Sequence, residues 1–240
     1  MEVKQLSHGE FISKSQDSLY SLHSKLINYQ PTDVNANYDL QLNDPLGIYD
    51  MELLKLKWQL LPEYVKAARS KLSENDPEYD KIVLDKWGRK NIGTGLYTET
   101  PEMIFYRASM KIAEGFKKEN PDLNYETTVR YIFDKFVNRE IFPNTPYMAN
   151  GGHSLFANYL KAQLSHKGVE SGKLETLVSD LEEEKKQKEQ LFACFVLPVG
   201  DSRRGINQTL DESSEIQALI GGTGFNFRLR PANEIIAVSG

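Results

Sequence analysis

The stretch from Leu191 to Leu229 constrains the fold of this chain more than any other. Leu191-Phe-Ala-Cys-Phe-Val-Leu-Pro-Val199 is an apolar, β-prone run, which predicts a strand buried on both faces. Asp201 or Ser202 then offers a helix cap. The following residues place Ile206, Leu210, Ser213, Ile216, Gln217 and Ile220 on one side of a helix. Gly221 and Gly222 stop that helix, and Phe225 to Leu229 alternates as a second strand. Strand, helix, strand over about 40 residues is a βαβ unit, and it implies a parallel pair.

The residues before this unit read differently. Residues 1–45 are polar and rich in Asn and Asp, an irregular lead-in with one helix expected around Ser18 to Ile27. Met51, Leu54, Trp58 and Leu61 recur at helical spacing, so Asp50 to Leu61 is a helix candidate. Pro62 either ends it or opens a second helix over Glu63 to Leu72. Asp85 to Gly95 reads as turns with a short hairpin. Thr100-Pro101-Glu102 is a helix start, with Met103, Ile104, Ala108 and Ile112 expected inward as far as Lys117. Tyr125 to Asn138 is a further helix, with Val129, Ile132, Phe133 and Phe136 on its core face. The organisation is thus a lead-in (1–45), a helical domain (46–140) and a third region (141–240). The third region begins with the Pro/Asn/Gly-rich passage Phe142 to Gly152 and carries a charged helical insertion at about 154–190. In that insertion Leu174, Leu177, Val178 and Leu181 form a narrow stripe, and the charged residues around Glu182, Glu184, Lys186 and Lys188 read as a solvated face.

Composition excludes several classes of function. The net charge is −5 and basic residues are dispersed, so binding along a nucleic-acid backbone is not expected. No apolar run approaches the roughly 20 residues that span a bilayer, and the N-terminus has no apolar signal core, so a soluble, cytoplasmic chain is expected. One cysteine cannot form an internal disulfide. His8, His23, His153 and His166 are scattered and read as surface or loop residues, so no metal site is expected.

A few residues remain that carry chemistry or only structure. Cys194 packs as a small hydrophobe, or serves redox chemistry with a second thiol from elsewhere. Asp201-Ser202 caps a helix, or lends its amides and carboxylate to a nucleotide. Gly221-Gly-Thr-Gly224 is a tight turn, or a place where backbone approaches a ligand closely. Arg228 and Arg230 share one face of a strand and form a phosphate clamp, or are merely solvated. Thr145-Pro146 is a turn, or a phosphate contact.

The order of these signals is more specific than any one of them. Pro143-Asn-Thr-Pro146, Ala193-Cys194, Asp201-Ser202 and Gly221-Gly-Thr-Gly-Phe-Asn-Phe227 with Leu229-Arg-Pro231 together resemble the large catalytic chain of ribonucleotide reductases. The wording Cys194-Phe-Val-Leu-Pro-Val and Gly221-Gly-Thr-Gly-Phe-Asn-Phe is most similar to the adenosylcobalamin-dependent class II. Tyr97-Thr-Glu-Thr-Pro-Glu-Met-Ile-Phe105 is similar to the helical N-terminal region of the same family.

The resemblance implies an α/β fold: a mainly helical N-terminal region followed by the first strands and helix of a ten-stranded α/β barrel, left incomplete. It implies that Cys194 is one thiol of the redox pair that reduces the ribose 2′-carbon. It implies that Thr145, Ala193 and Gly222 contact the substrate ribonucleotide, and that Asp201, Ser202, Arg203 and Arg230 bind a deoxynucleoside triphosphate or ATP effector near a homodimer interface. Adenosylcobalamin, a thioredoxin-like or dithiol reductant and the rest of the reductase chain are the further partners. The radical-bearing cysteine and the second cysteine of the pair lie beyond Gly240 in this pattern, so residues 1–240 alone are expected to be inactive. The other expectation is a non-catalytic nucleotide-binding or assembly module derived from the reductase. The choice between diphosphate and triphosphate substrates is left open.

Overall fold

In the computed structural model the described residues are 25, 26, 29, 44–72, 77–167, 171–186, 189–218 and 221–227. They form nine helices and one pair of parallel strands, a mostly helical structure. The first eight helices are α1 (Met51–Leu60), α2 (Glu63–Leu72), α3 (Pro77–Trp87), α4 (Pro101–Glu119), α5 (Tyr125–Val137), α6 (Thr145–Asn150), α7 (His153–Lys167) and α8 (Ser171–Lys185). Strand β1 (Cys194–Pro198), helix α9 (Arg203–Ala218) and strand β2 (Gly222–Asn226) follow.

Local signals set most boundaries. The Asp50 carboxylate accepts from the Leu53 N–H at 3.3 Å and caps α1. Pro62 starts α2, its carbonyl accepting from the Val65 N–H. Pro101 occupies the first turn of α4, although the Thr100 side chain makes no capping bond. Asn124 caps α5 through the Thr127 N–H at 2.9 Å. A hairpin-like crossing joins Lys90 to Tyr97 as an antiparallel bridge, while Tyr97 also meets Tyr49.

Helix α4 is the hub. Met103, Ile104, Phe105 and Ala108 are fully buried on it, and Ile112 packs at the margin. Val129, Ile132, Phe133 and Phe136 of α5 face it as the spacing predicts. Aromatic rings interlock across the contact: Tyr106 meets Phe133, Phe156 and Tyr159 edge-on, and Phe105 meets Phe136 and Phe142. Phe156, Leu160, Leu177 and Leu181 have no exposure, so α7 and α8 share this same core.

Several expectations change. Residues 77–87, partly read as turns, form α3, because Tyr79, Val83 and Leu84 recur at helical spacing and Val83 and Leu84 are buried. Thr145-Pro146 opens a short helix rather than a free turn. The expected helix around Ser18 to Ile27 lies outside the described residues apart from Lys25 and Leu26, which are helical. β1 is not buried on both faces: its residues alternate between exposed and half-buried. β2 begins at Gly222, earlier than the expected Phe225, because pairing to β1 overrides the turn preference of the glycines. The charged face of α8 is not wholly solvated, since Asp180 and Glu184 are buried. Of the strands that the expected ten-stranded barrel requires, the described residues show one parallel pair and no barrel.

Candidate functional site

The parallel register brings distant residues of the predicted site together. Cys194 is the Cα partner of Gly222, and the Gly222 N–H donates to the Ala193 carbonyl at 2.6 Å. Ala193, Cys194 and Gly222 therefore sit side by side at the start of the strand pair, and the Cys194 side chain is exposed. A Cβ on Gly222 would come 3.3 Å from the Ala193 carbonyl oxygen, so this approach of two backbones favours glycine.

Asp201, Ser202 and Arg203 lie at the other end of β1. The Ser202 hydroxyl accepts from the Gly205 N–H at 3.0 Å and caps α9. Gly200 and Gly205 touch closely enough that a Cβ on either would crowd the other. Asp201 and Arg203 are exposed. Four rises of about 3.3 Å separate Cys194 from Pro198, so the two ends of β1 stand roughly 13 Å apart. Arg228 and Arg230 lie outside the described residues.

Helix α9 docks by polar contacts. The Thr209 hydroxyl donates to the Pro198 carbonyl at 3.1 Å, and Ser213 and Gln217 both meet the Thr223 hydroxyl at 2.8 Å. Thr209 and Ser213 are its buried residues, while Ile206 and Leu210 are exposed. Of the side read from the sequence, Ser213 and Gln217 thus meet the strands, whereas Ile206 and Leu210 do not.

Thr145 is exposed at the first position of α6. The Asn144 side chain caps that helix through the Tyr147 N–H at 2.9 Å, and Met148 anchors it in the core. Two bonds link the end of α6 to the segment that enters β1. Asn150 Nδ2 donates to the Gln190 carbonyl at 2.9 Å, and the Gly152 N–H donates to Glu189 Oε1 at 3.1 Å.

Behind α6 lies a buried charge network that the residue patterns left unread. Lys57 Nζ, with no exposure, lies 2.6 Å from Asp180 Oδ2 and 3.1 Å from Glu184 Oε2. Arg89 Nη1 donates to Asp180 Oδ1 at 2.7 Å. His153, buried rather than on a surface or loop, lies between Glu184 (Nδ1 to Oε1, 3.2 Å) and the Ala149 carbonyl (Nε2 to O, 3.0 Å). Arg107 Nε donates to Glu99 Oε2 at 2.9 Å. Burial raises the Glu184 carboxyl, but Lys57, His153 and Arg89 more than offset this and hold it well below the usual carboxylate range. Burial likewise raises Glu99, and Arg107 reverses the effect. Burial lowers Lys57, yet Glu184 and Asp180 leave it above its ordinary value.

Ligand atoms of Glu99, His153 and Glu184 lie within 4.8 Å of one another, a spacing that a cation can bridge. Three carboxylates (Glu99, Asp180, Glu184) already face three permanent cations (Lys57, Arg89, Arg107), so the cluster is balanced without a metal. The sequence did hold a signal. Lys57 falls among Leu53, Leu54 and Leu61 on one helix face, and Asp180 and Glu184 fall on the stripe of Leu177 and Leu181. A charge inside an apolar stripe calls for a buried partner.

Comparisons with known proteins agree with the family resemblance. Residues 80–155 match the family model described as "Ribonucleotide reductase, all-alpha domain". A vitamin B12-dependent ribonucleoside-diphosphate reductase of Thermoplasma acidophilum is 56% identical over 48 residues, which is 20% of this chain and 6% of that protein. A protein of the same description from Mycobacterium tuberculosis is 47% identical over 51 residues, 21% of this chain and 7% of its own length. The matched stretches therefore span a small part of these relatives. The chain is similar to the N-terminal segment of such large chains, and the relatives named are of the B12-dependent kind.

Proposed function

We propose that this chain, whose residues 80–155 match the all-alpha domain of ribonucleotide reductase, is the N-terminal part of an enzyme that replaces the ribonucleotide 2′-hydroxyl by hydrogen. The observation that carries this reading is the register that sets exposed Cys194 beside Gly222 and Ala193, at the strand end opposite the Asp201-Ser202-Arg203 helix cap. The separation suits two nucleotide sites, one for substrate and one for effector.

In the reaction two thiols become a disulfide, the 2′-oxygen leaves as water, and the ribose carbon gains hydrogen. Cys194 supplies one of the two thiols. As the chain's single cysteine it needs a second from a further polypeptide or a continuation. A thioredoxin-like protein or a dithiol then restores the pair. Thr145, with the backbone of Ala193 and Gly222, contacts the ribonucleotide. Asp201, Ser202, Arg203 and Arg230 hold a deoxynucleoside triphosphate or ATP, with α9 at the face of a homodimer. The start of an α/β barrel is the architecture this reading implies for β1, α9 and β2.

Adenosylcobalamin, when bound, would supply the radical, and the cavity between α2 and α5 is too small to hold it. The cavity between α2 and α5, lined by Tyr64, Arg130 and Asp134 among others, has a volume of about 90 Å³, the space of a few waters. The cofactor's binding belongs mainly to the completing polypeptide.

The test is Cys194→Ser in the completed enzyme. Dithiol-driven turnover should vanish while effector binding stays intact. Full turnover by the variant refutes the assignment. Turnover by isolated residues 1–240 with nucleotide, adenosylcobalamin and dithiol refutes the need for completion. The single thiol also favours a second reading, a non-catalytic nucleotide-binding or assembly module. That reading expects nucleotide binding and no functional effect of Cys194→Ser.

A further inference from the structure

The guanidinium of Arg107 does more than an ion pair requires. Besides its two bonds to Glu99, it donates from Nη1 to the Gly151 carbonyl at 2.8 Å and from Nη2 to the Ala149 carbonyl at 3.1 Å. Nη2 also reaches the Trp87 carbonyl at 3.1 Å. The side chain has no exposure. An arginine fork can serve several fixed acceptors at once, and an ammonium cannot.

Two of these acceptors belong to the end of α6. A six-residue helix does not hold itself together, and its last carbonyls have no partner within the helix. Arg107 satisfies Ala149 and Gly151, and His153 adds a second contact to Ala149. Gly152 completes the clamp. Its φ is +83°, and a Cβ there would collide with the main-chain oxygen of Arg107. Four residues further along α4, Lys111 Nζ pairs with Glu189 at 2.7 Å, and Glu189 accepts from the Gly152 N–H. One helix thus registers both α6 and the segment that leads into Cys194.

We propose that Arg107 is a positioning residue: from the interior it fixes the end of α6, and so fixes where Thr145 at the start of α6 meets the phosphates of a ribonucleotide. The proposal rests on the substrate role given to Thr145 above. Arg107 itself touches no ligand; it acts through three main-chain carbonyls and the Glu99 carboxylate that holds it.

The test uses the 240-residue chain and Arg107→Lys, which keeps the charge opposite Glu99 but cannot reach all the carbonyls. Amide exchange at Met148, Gly151 and Gly152 should accelerate about tenfold, while the amides of α4 and α5 keep their protection. Affinity for cytidine diphosphate should fall about tenfold, the equivalent of one lost charge-assisted bond, with affinity for deoxyadenosine triphosphate unchanged. If Arg107→Lys does not fold, His153→Gln, which loses one of the two Ala149 contacts, should shift exchange and affinity in the same direction by less. Unchanged exchange over 148–152, or acceleration spread evenly over the helices, overturns the proposal. If the unsubstituted chain binds no cytidine diphosphate, the substrate role of Thr145 fails instead, and the exchange result still decides whether Arg107 holds α6.

Discussion

Replacing Lys57 by Met tests whether the buried network is the electrostatic centre of the helical region. The Met side chain fills the space of the lysine stem, so the change removes mainly charge. Two carboxylates lose a partner: Asp180, with an oxygen 2.6 Å from Nζ, and Glu184, at 3.1 Å. Asp180 keeps Arg89 at 2.7 Å, but Glu184 retains Arg89 only at 3.9 Å, besides His153 at 3.2 Å. Removing one partner of a buried pair costs about 3–5 kcal/mol, and the remaining Arg89 places this case near the lower figure, about 3 kcal/mol. With a urea slope of about 2 kcal/mol/M the midpoint should fall by about 1.5 M. Fluorescence reports it directly, because both tryptophans, Trp58 and Trp87, lie in α1 and α3. Adding Glu184→Gln removes one orphaned charge, so the double variant should be more stable than the sum of the single losses by about 1 kcal/mol or more. A loss under about 1 kcal/mol for Lys57→Met, the scale of an exposed pair, or strict additivity in the double variant, refutes the reasoning.

Acid should weaken the helical region. Glu99 and Glu184 have folded pKa values below the ordinary one, so their stabilisation is present above the unfolded value of about 4.3 and is lost as pH falls through the depressed folded values. Urea midpoints should therefore drop steadily below about pH 4.5, and Glu184→Gln should flatten that slope. Glu102 has the opposite sign: burial raises its carboxyl and Arg69 only partly offsets this, so its contribution is present at low pH and is lost as pH rises through the raised folded value. Glu102→Gln should thus reduce the loss of stability toward alkaline pH in the same titration. Gly152→Ala combines a left-handed φ with a collision against the Arg107 backbone and should cost about 3–5 kcal/mol, read as a lowered melting temperature. Cys194 is exposed, so the native chain should take up one equivalent of maleimide without unfolding, and Cys194→Ser should leave the melting temperature unchanged.

Helices α1, α2, α4 and α5 were legible because each announces its own start and repeats apolar residues at the helical period. Asp50, Pro62, Pro101 and Asn124 sit where the caps and first turns are. The parallel pair was legible for a similar reason: an apolar run, a capped helix and a second run admit few other arrangements. Its register was not, because Gly222 and Gly224 have no side chains to mark a strand and are held by pairing to β1. The predicted site residues Ala193, Cys194 and Gly222 converge through that register, and Asp201, Ser202 and Arg203 cluster simply by adjacency. The buried network was the larger omission. Lys57, Arg89, Glu99, Arg107, His153 and Glu184 come from five separate segments, and no local period relates a charge on α1 to one on α8.

The two parts of the chain hold themselves by different means. The helical region closes over rings and aliphatic side chains, and the charges of the network around Glu184 are paired with opposite ones. The strand pair has no such closure: Phe192, Val196 and Phe227 are 62%, 74% and 68% exposed. A two-stranded sheet with one helix is marginal in water, and α9 is fastened to it by hydroxyl and amide contacts rather than by Ile206 and Leu210. The strand that carries Cys194 therefore depends for its placement on the helical region. The links run through Asn150 to Gln190, Gly152 to Glu189 and Lys111 to Glu189, all immediately before β1. The helix and turn that bear Asn150 and Gly152 are in turn held by Arg107 and His153. The buried charges thus sit where a self-sufficient core meets a strand pair that is not self-sufficient. Directional bonds are needed at that junction, because apolar packing alone would hold the two parts together without fixing their register.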